Sequence, residues 1–448
     1  MAEELITENN AKISGHLTGS LLAVAFLASF GSSMLYGYNL AVINSPAKYI
    51  KEFYNQTLFN YQDWTPNQHY LTILYSLTVS IFAIGGMIGA LLVGRLATKY
   101  GRKGILVRST ILVFIGGALM GFSRWSRKPS MVIAGRFITG VHSGISLSVV
   151  PMYLGEIAPK NLRGFLGLIP SIHICLGVFI AQVLGLSELL GKEEYWPLLL
   201  SLVMFPTMIQ LMLLPWFPES PRYLMIEKGD VPATVAALKW FRKKGNIQAE
   251  VDEMQEEQRS LSSIKTLSVS RLLMDRSCFT IERLGRRPLI IGGFLFMGFC
   301  CAGITVSVTY QAQLSLLSYV SVGCVVGIIA GFCIGPAGVP FLITAELFKQ
   351  SHRPSAYTVA GCLNWLSNFI IGFVFPFLEE ATGPFCYLIF CAICWGVAIY
   401  AILIIPETKN KTFLEISQMF AAKKDVLDDN MKLALMNGYG TLGIHDEK

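Results

Sequence analysis

Asn364, Trp365 and Asn368 place two amides and an indole in an otherwise apolar stretch, and the amides, four positions apart, share one face of a helix. Amides donate and accept hydrogen bonds, and an aromatic face stacks on rings, so the pattern suits a polyhydroxylated or planar polar solute better than a charged one. Two other apolar stretches carry polar groups: Tyr36-Gly37-Tyr38-Asn39 in one, and Ser171, His173 and Gln182 in the other. Such groups are costly at membrane depth and mark either a cavity or a helix contact. Hydrogen bonding between helices is the alternative reading for each, and His173 by itself reads as a packing residue.

Ion pairing is the second chemistry on offer. Glu156 is followed seven residues later by Arg163, and Glu346 seven residues later by Arg353. Each pair lies between a Gly-Arg step (Gly101-Arg102, Gly285-Arg286) and a Pro-Glu step (Pro218-Glu219, Pro406-Glu407). From Glu156 to Glu219 is 63 residues and from Glu346 to Glu407 is 61, so the chain is a parallel repeat. The matched pairs are expected to act as latches that hold one face of the molecule closed, with solvated surface pairs as the alternative.

No Walker loop, no zinc-ligand spacing and no nucleophile beside a base occurs, so neither an enzyme, a metal nor a cofactor is expected. The ten cysteines, including Cys300-Cys301 and Cys391 with Cys394, read as polarizable packing residues.

These residues must be positioned by membrane-spanning helices. The 448 residues are 53% hydrophobic and 15% charged, too apolar for a set of soluble domains. About 20 apolar helical residues cross a bilayer. Ten runs of that kind lie near residues 18–44, 70–94, 104–123, 130–153, 163–187, 195–216, 288–310, 314–342, 356–378 and 386–406.

Between the sixth and seventh runs, residues 217–287 hold 13 Lys/Arg and 10 Asp/Glu. The predicted organisation is an N-terminal segment 1–17, a six-helix bundle 18–216, the polar linker 217–287, a four-span bundle 288–406 and a tail 407–448. Residues 1–12 carry acids rather than a basic region, so the first run is expected to stay as a span.

Loops 95–103, 154–164 and 343–355 carry Lys and Arg, whereas 311–313 and 379–385 carry none, which places the basic set, the linker and both termini in the cytoplasm. Loop 124–129, with Arg124, Arg127 and Lys128, dissents. The net charge of +7 follows from topology and gives no reason to invoke nucleic acid. Asn55-Gln56-Thr57, in the longest outer loop, is a candidate glycan acceptor at Asn55.

Two spans precede Gly101, yet none separates the linker from Gly285, so the second half lacks one hairpin. Gly335-Pro336-Ala337-Gly338-Val339-Pro340 removes two backbone donors within a span and marks a hinge candidate. Gly85, Gly86 and Gly89 offer a small surface for close helix packing.

Several strings resemble the sugar porters of the major facilitator superfamily, specifically the facilitative hexose carriers: Gly135-Arg136-Phe137, Pro151-Met152-Tyr153-Leu154-Gly155-Glu156, Pro218-Glu219-Ser220-Pro221-Arg222, Asn364-Trp365-Leu366-Ser367-Asn368 and Pro406-Glu407-Thr408-Lys409. Tyr36-Gly37-Tyr38-Asn39 and Val339-Pro340-Phe341 resemble the fructose- and urate-carrying class.

The resemblance implies an all-α major facilitator fold, six helices followed by a truncated four-helix half, in the plasma membrane. It implies uniport of hexose, fructose or glucose, by alternating access, with urate as the alternative solute. It also leaves open a transport-deficient form that associates with other transporter copies. Tyr36, Ser171, Ile174, Cys175, Val178, Phe341, Asn364, Trp365 and Asn368 would line the solute site. Arg102, Glu156, Arg163, Glu219, Arg222, Arg286, Glu346, Arg353 and Glu407 would form the gates. Ser171 stands where many hexose carriers have glutamine, and Thr98 replaces an aspartate, which predicts a weak latch at that loop. The absent hairpin would carry the family's remaining sugar-binding amides.

Overall fold

The computed structural model describes residues 17–58, 68–159, 162–242, 247–262, 286–311, 316–334, 336 and 353–403. Chain contacts divide the protein into two units, Met1–Lys265 with Thr358–Gly383, and Thr266–Tyr357 with Pro384–Lys448.

In the first unit, α1 (Gly19–Ala41) starts at Thr18, whose hydroxyl caps the helix by accepting from the Leu21 N–H at 3.3 Å. It is interrupted by a π-helical turn at Ser29–Ser33. A short amphipathic helix, α2 (Ala47–Leu58), follows within the expected outer loop and buries Ile50, Phe53 and Tyr54. Then come α3 (Gln68–Tyr100), α4 (Arg102–Phe122), α5 (Pro129–Ile157), α6 (Arg163–Leu184) and α7 (Trp196–Trp216). The linker contributes α8 (Pro221–Ile226), α9 (Val231–Arg242) and α10 (Gln248–Ser262).

In the second unit, α11 (Arg286–Tyr310), α12 (Leu316–Ile334) and α14 (Cys386–Leu403) are apolar helices. Between the last two in sequence runs α13 (Arg353–Thr382), joined to α14 by a 3-10 turn at Gly383–Phe385. Each of the ten expected runs therefore has a helix among the described residues.

Some helices are longer than their apolar runs, α3, α5 and α13 most clearly. α3 carries Arg95 and Lys99 through to Tyr100 and stops only at Gly101, whose φ of +78° is a conformation that favours glycine. The expected loop 379–385 is helical to Thr382, because Glu379 and Glu380 are good helix formers and the break waits for Gly383-Pro384.

Two apolar clusters fill the six-helix bundle. One, near the Gly101 corner, joins Leu21, Val24, Ile105, Val150, Tyr153 and Phe241; the other, at the opposite end, joins Leu35, Tyr38, Ile50, Met120, Val132 and Trp196. α3 and α5 meet backbone to backbone: a Cβ at Gly85 would lie 2.2 Å from the Phe137 carbonyl oxygen, and one at Gly89 2.2 Å from that of Val141. The small-residue surface expected at Gly85 and Gly89 is thus a packing face.

One grouping differs from expectation. Thr358–Gly383, from the third run of the expected four-span bundle, groups with the first unit, while α11 packs with both α12 and α14. The physical reason is Trp365 on α13, which is 1% exposed and packs with Tyr36, Phe82, Ala83 and Ala90 of the first unit.

Candidate functional site

Tyr36 projects from α1 just after the π-helical turn, and its phenol hydrogen-bonds the side chains of both Asn364 and Asn368. Its ring meets that of Trp365 edge-on at 5.5 Å, and Phe82 of α3 meets the same indole at 5.9 Å. Gly86 makes room for the indole, since a Cβ there would lie 2.3 Å from Trp365 Cζ3. The Asn368 side chain also donates to the Asn364 carbonyl at 2.9 Å, which holds the two amides along one face of α13. Asn364, exposed and hydrogen-bonding, is the member of this group most open to a solute.

On α6, Ile174 packs against this cluster, and its carbonyl oxygen would be 1.9 Å from a Cβ at Gly37, so glycine is required where α1 and α6 cross. Val178 packs instead with the cluster at the opposite end from Gly101. Ser171 is half-buried. Cys175 is disulfide-bonded, which corrects its reading as a packing thiol. His173 is the packing residue it was expected to be, with Nδ1 2.9 Å from the Ile169 carbonyl and its ring edge-on to Phe26. Phe341 and all of the hinge candidate except Pro336 lie outside the described residues.

Of the residues expected to form gates, Arg102, Glu156 and Glu219 come together at the Gly101 corner. Arg102 pairs with Glu156 at 2.9 Å and with Glu227 at 2.6 Å, and lies 5.1 Å over the Tyr223 ring. Glu156 accepts through its other oxygen from the Ser220 hydroxyl, so its carboxylate is held by Arg102 and Ser220. Its latch partner here is Arg102, 54 positions earlier; the Arg163 side chain lies outside the described residues.

Glu219 receives the Lys103 and Gly104 N–H groups at 2.8 and 3.0 Å and so caps α4, placing a carboxylate at the positive end of its dipole. Gly101 is locked into this corner, because a Cβ there would lie 2.5 Å from Glu219 Oε2. Tyr223 donates to the Thr98 carbonyl at 3.2 Å, and Tyr153 to that of Pro218 at 2.7 Å. Thr98 lies in the last turn of α3 and brings no carboxylate of its own, and its carbonyl is held by Tyr223 from the linker. Arg222 is half-buried on α8. The side chains of Arg286 and Arg353, and residues Glu346 and Glu407, lie outside the described residues.

Three buried polar residues were not singled out as site residues. Arg136 on α5, 1% exposed, donates to the Asn39 carbonyl at 2.7 Å and stacks 4.5 Å from the Phe82 ring. Gln210 on α7 accepts from Ser32 of the π-helical turn at 3.0 Å. His142 lies 3.2 Å from the Ser146 hydroxyl. The signal for each was available: a charged or amide group within an apolar span.

A bundle of long apolar helices with a polar aromatic–amide cluster in its first unit and an ion-pair corner at one end is a polytopic membrane transporter. Its fold is that of the major facilitator superfamily: Escherichia coli XylE in a partially occluded inward-open conformation matches with a TM-score of 0.69 at 22% identity, over 88% of this chain and 100% of that one. The proton:xylose symporter XylE bound to 6-bromo-6-deoxy-D-glucose matches with a TM-score of 0.67 at 21% identity, over 89% and 99%.

The chain belongs to the family described as sugar (and other) transporter, whose model matches residues 24–279 and 276–420. It is 39% identical to solute carrier family 2, facilitated glucose transporter member 5, of Bos taurus, over 92% of this chain and 94% of that protein. It is also 39% identical to member 9 of the same carrier family from Homo sapiens, over 92% and 88%. The alignment to the bovine protein runs over 472 positions, while 92% of 448 residues is about 412, so about 60 positions stand opposite gaps in this chain.

Proposed function

We propose that the protein is a facilitative uniporter of a neutral hexose, fructose or glucose, that works by alternating access in the plasma membrane with both termini cytoplasmic. The observation that carries the reading is the cluster of Tyr36, Asn364 and Asn368 beside Trp365, in which amides and a phenol converge beside an aromatic wall. Such groups exchange hydrogen bonds with sugar hydroxyls, and no proton or covalent step is required of them. The similarity to facilitated glucose transporter members 5 and 9 supports the solute class. Ser171, Ile174 and Val178 of α6 and Phe341 complete the proposed lining, with Cys175 adjoining it as a structural group.

The gate on the linker side is the corner of Arg102, Glu156, Glu219 and Glu227, joined by Arg222. Arg163, Arg286, Glu346, Arg353 and Glu407 are its proposed extension and its second-half counterpart. Opening this side requires the Arg102 pairs to break, so the corner sets the balance between inward- and outward-facing forms. Asn55, on α2, is the proposed glycan site.

Urate is the second solute reading, favoured by the likeness to member 9 and by the planar indole. A further reading concerns rate. The two family-model matches meet at residues 276–279, and about 60 aligned positions have no counterpart here, which supports a missing hairpin between Arg276 and Ile281. Two spans with their connections come to about 60 residues. We expect the 448-residue form to carry solute feebly and to act chiefly through association with other transporter copies.

Uptake of labelled fructose, glucose and urate into vesicles, each competed by the other two and measured in the variant that carries a family-type hairpin between Arg276 and Ile281, tests the solute. Saturable, voltage-independent hexose flux supports uniport, and flux that follows a proton gradient contradicts it.

A further inference from the structure

The first helix breaks its own register just before the candidate solute site. The Met34 N–H donates to the Ser29 carbonyl, five residues back, which makes Ser29–Ser33 a π-helical turn. Such a turn takes up one extra residue, and one residue is about 100° of helical rotation, so everything beyond Ser33 is turned by about that angle relative to an unbroken α-helix. Tyr36 follows directly in the next turn. With the π-helical turn in place, its phenol reaches Asn364 and Asn368 and its ring meets Trp365; in an unbroken helix it would point about 100° away. The crossing with α6 depends on the same register. Gly37 faces the Ile174 carbonyl, and Tyr36, Tyr38 and Asn39 are all too large for that place.

A residue of α7 holds this turn. Gln210 is fully buried, its Oε1 accepts from the Ser32 hydroxyl at 3.0 Å, and its side chain lies so close over Gly31 that a Cβ there would overlap it. The amide therefore grips the turn at two successive residues. Its Nε2 has no hydrogen-bond partner among the described residues. A buried amide that leaves a donor unused is a costly choice for packing alone, because an apolar side chain of similar length fills the space without that loss. Thr207, one turn earlier and equally buried, differs: its hydroxyl donates within α7, to the Val203 carbonyl at 2.8 Å.

We propose that Gln210 is a positioning residue for the solute site: by holding Ser32 and covering Gly31 it fixes the π-helical turn, and the turn aims the Tyr36 phenol at the two amides of α13. The inference rests on the reading of Tyr36, Asn364 and Asn368 as the solute site, and it adds a residue that acts on the solute through α1. Loss of the amide lets α1 relax toward an unbroken helix, so that Tyr36 leaves Asn364, Asn368 and the Trp365 ring together.

Melting of the full chain in detergent gives the first test, since it needs no solute. Gln210→Met keeps the side-chain length and removes the acceptor, and Trp365→Ala removes the ring that Tyr36 meets. If Gln210 acts through α1 on that contact, the double variant loses less than the sum of the two melting shifts, whereas independent sites add. Thr207→Val, which removes a bond internal to α7, is expected to add in full to Trp365→Ala. Additive losses for Gln210→Met, or an equal shortfall for Thr207→Val, overturn the proposal. Should Gln210→Met not fold, Ser32→Ala removes the same bond from the other side and is read in the same way. Hexose uptake in the hairpin-carrying variant gives the second test. Gln210→Met is expected to raise half-saturation about three-fold or more with little change in maximal rate, and to add nothing in a Tyr36→Phe background. A fall in maximal rate alone, or effects of the two substitutions that multiply, overturns it. If no hexose is carried at all, the solute reading fails, and the melting cycle still decides whether Gln210 aims Tyr36.

Discussion

The first unit buries an arginine, a histidine and a glutamine, Arg136, His142 and Gln210, whereas the buried polar residues described in the second are the hydroxyls Thr305 and Ser307, with thiols such as Cys301, Cys386 and Cys391. Apolar packing differs in the same sense. The six-helix bundle is filled by two extended clusters, while the described cluster of the second unit joins Ile290 to Ala401 with Ile291 and Phe294 against them. In a membrane the hydrophobic effect gives little drive between helices, so close packing and internal hydrogen bonds must hold a bundle together. The first unit has both, and the described residues of the second show less of either. The proposed solute site and gate therefore draw on the first unit, to which most of α13 belongs, and the second unit is where the proposed missing hairpin would be felt.

Five substitutions sharpen this contrast, and they are ordered by expected effect. Trp365→Ala empties the contact that ties α13 to Tyr36 and Phe82, and large-to-small changes of that kind cost about 3–5 kcal/mol. Thermal melting in detergent checks it; a loss as small as that from an exposed Leu363→Ala change would mean that α13 is not anchored through its indole.

Arg102→Ala leaves Glu156 and Glu227 without their cation, a loss of about 3 kcal/mol, the low end for a buried pair deprived of one member. It is expected to lower melting and to alter the influx-to-efflux ratio, and Arg353→Ala to alter the ratio in the second half. Ratios unchanged in both variants would assign these residues to surface solvation.

Tyr36→Phe removes the hydroxyl shared by Asn364 and Asn368, worth about 0.5–1.5 kcal/mol, so half-saturation for hexose, measured in the hairpin-carrying variant, should rise by a few-fold with melting little changed. Last, Asn55→Gln should leave flux as it was and remove a glycosidase-sensitive mobility shift; the absence of any such shift in the parent protein would refute the glycan.

Periodicity and composition made the spans legible, because about 20 apolar residues must cross the bilayer whatever their partners. The shared face of Asn364 and Asn368 was equally legible, since helical spacing alone sets it. Partnership was not. The spacing points Glu156 to the arginine seven positions on, whose side chain lies outside the described residues, but a single sequence does not reveal that α4 and α5 bring Arg102 to it from 54 positions earlier. Nor does the sequence near Thr98 reveal that Glu219 and Tyr223 arrive from the linker to cap α4 and to hold the Thr98 carbonyl. Likewise, nothing in the composition of 356–378 says that its tryptophan packs with Tyr36 and Phe82, which is why a four-span second half was expected.

The most direct test of the six-and-four reading is hexose uptake measured side by side in the 448-residue chain and in a variant carrying a family-type hairpin of about 60 residues between Arg276 and Ile281. The hydrogen bonds that such a hairpin would add, at about 0.5–1.5 kcal/mol each, together decide whether millimolar binding is reached. The predicted result is flux near background from the first and saturable flux from the second, at equal surface delivery. Saturable uptake by the chain as it stands, at the rate of the repaired variant, would contradict the account and show that four C-terminal spans suffice.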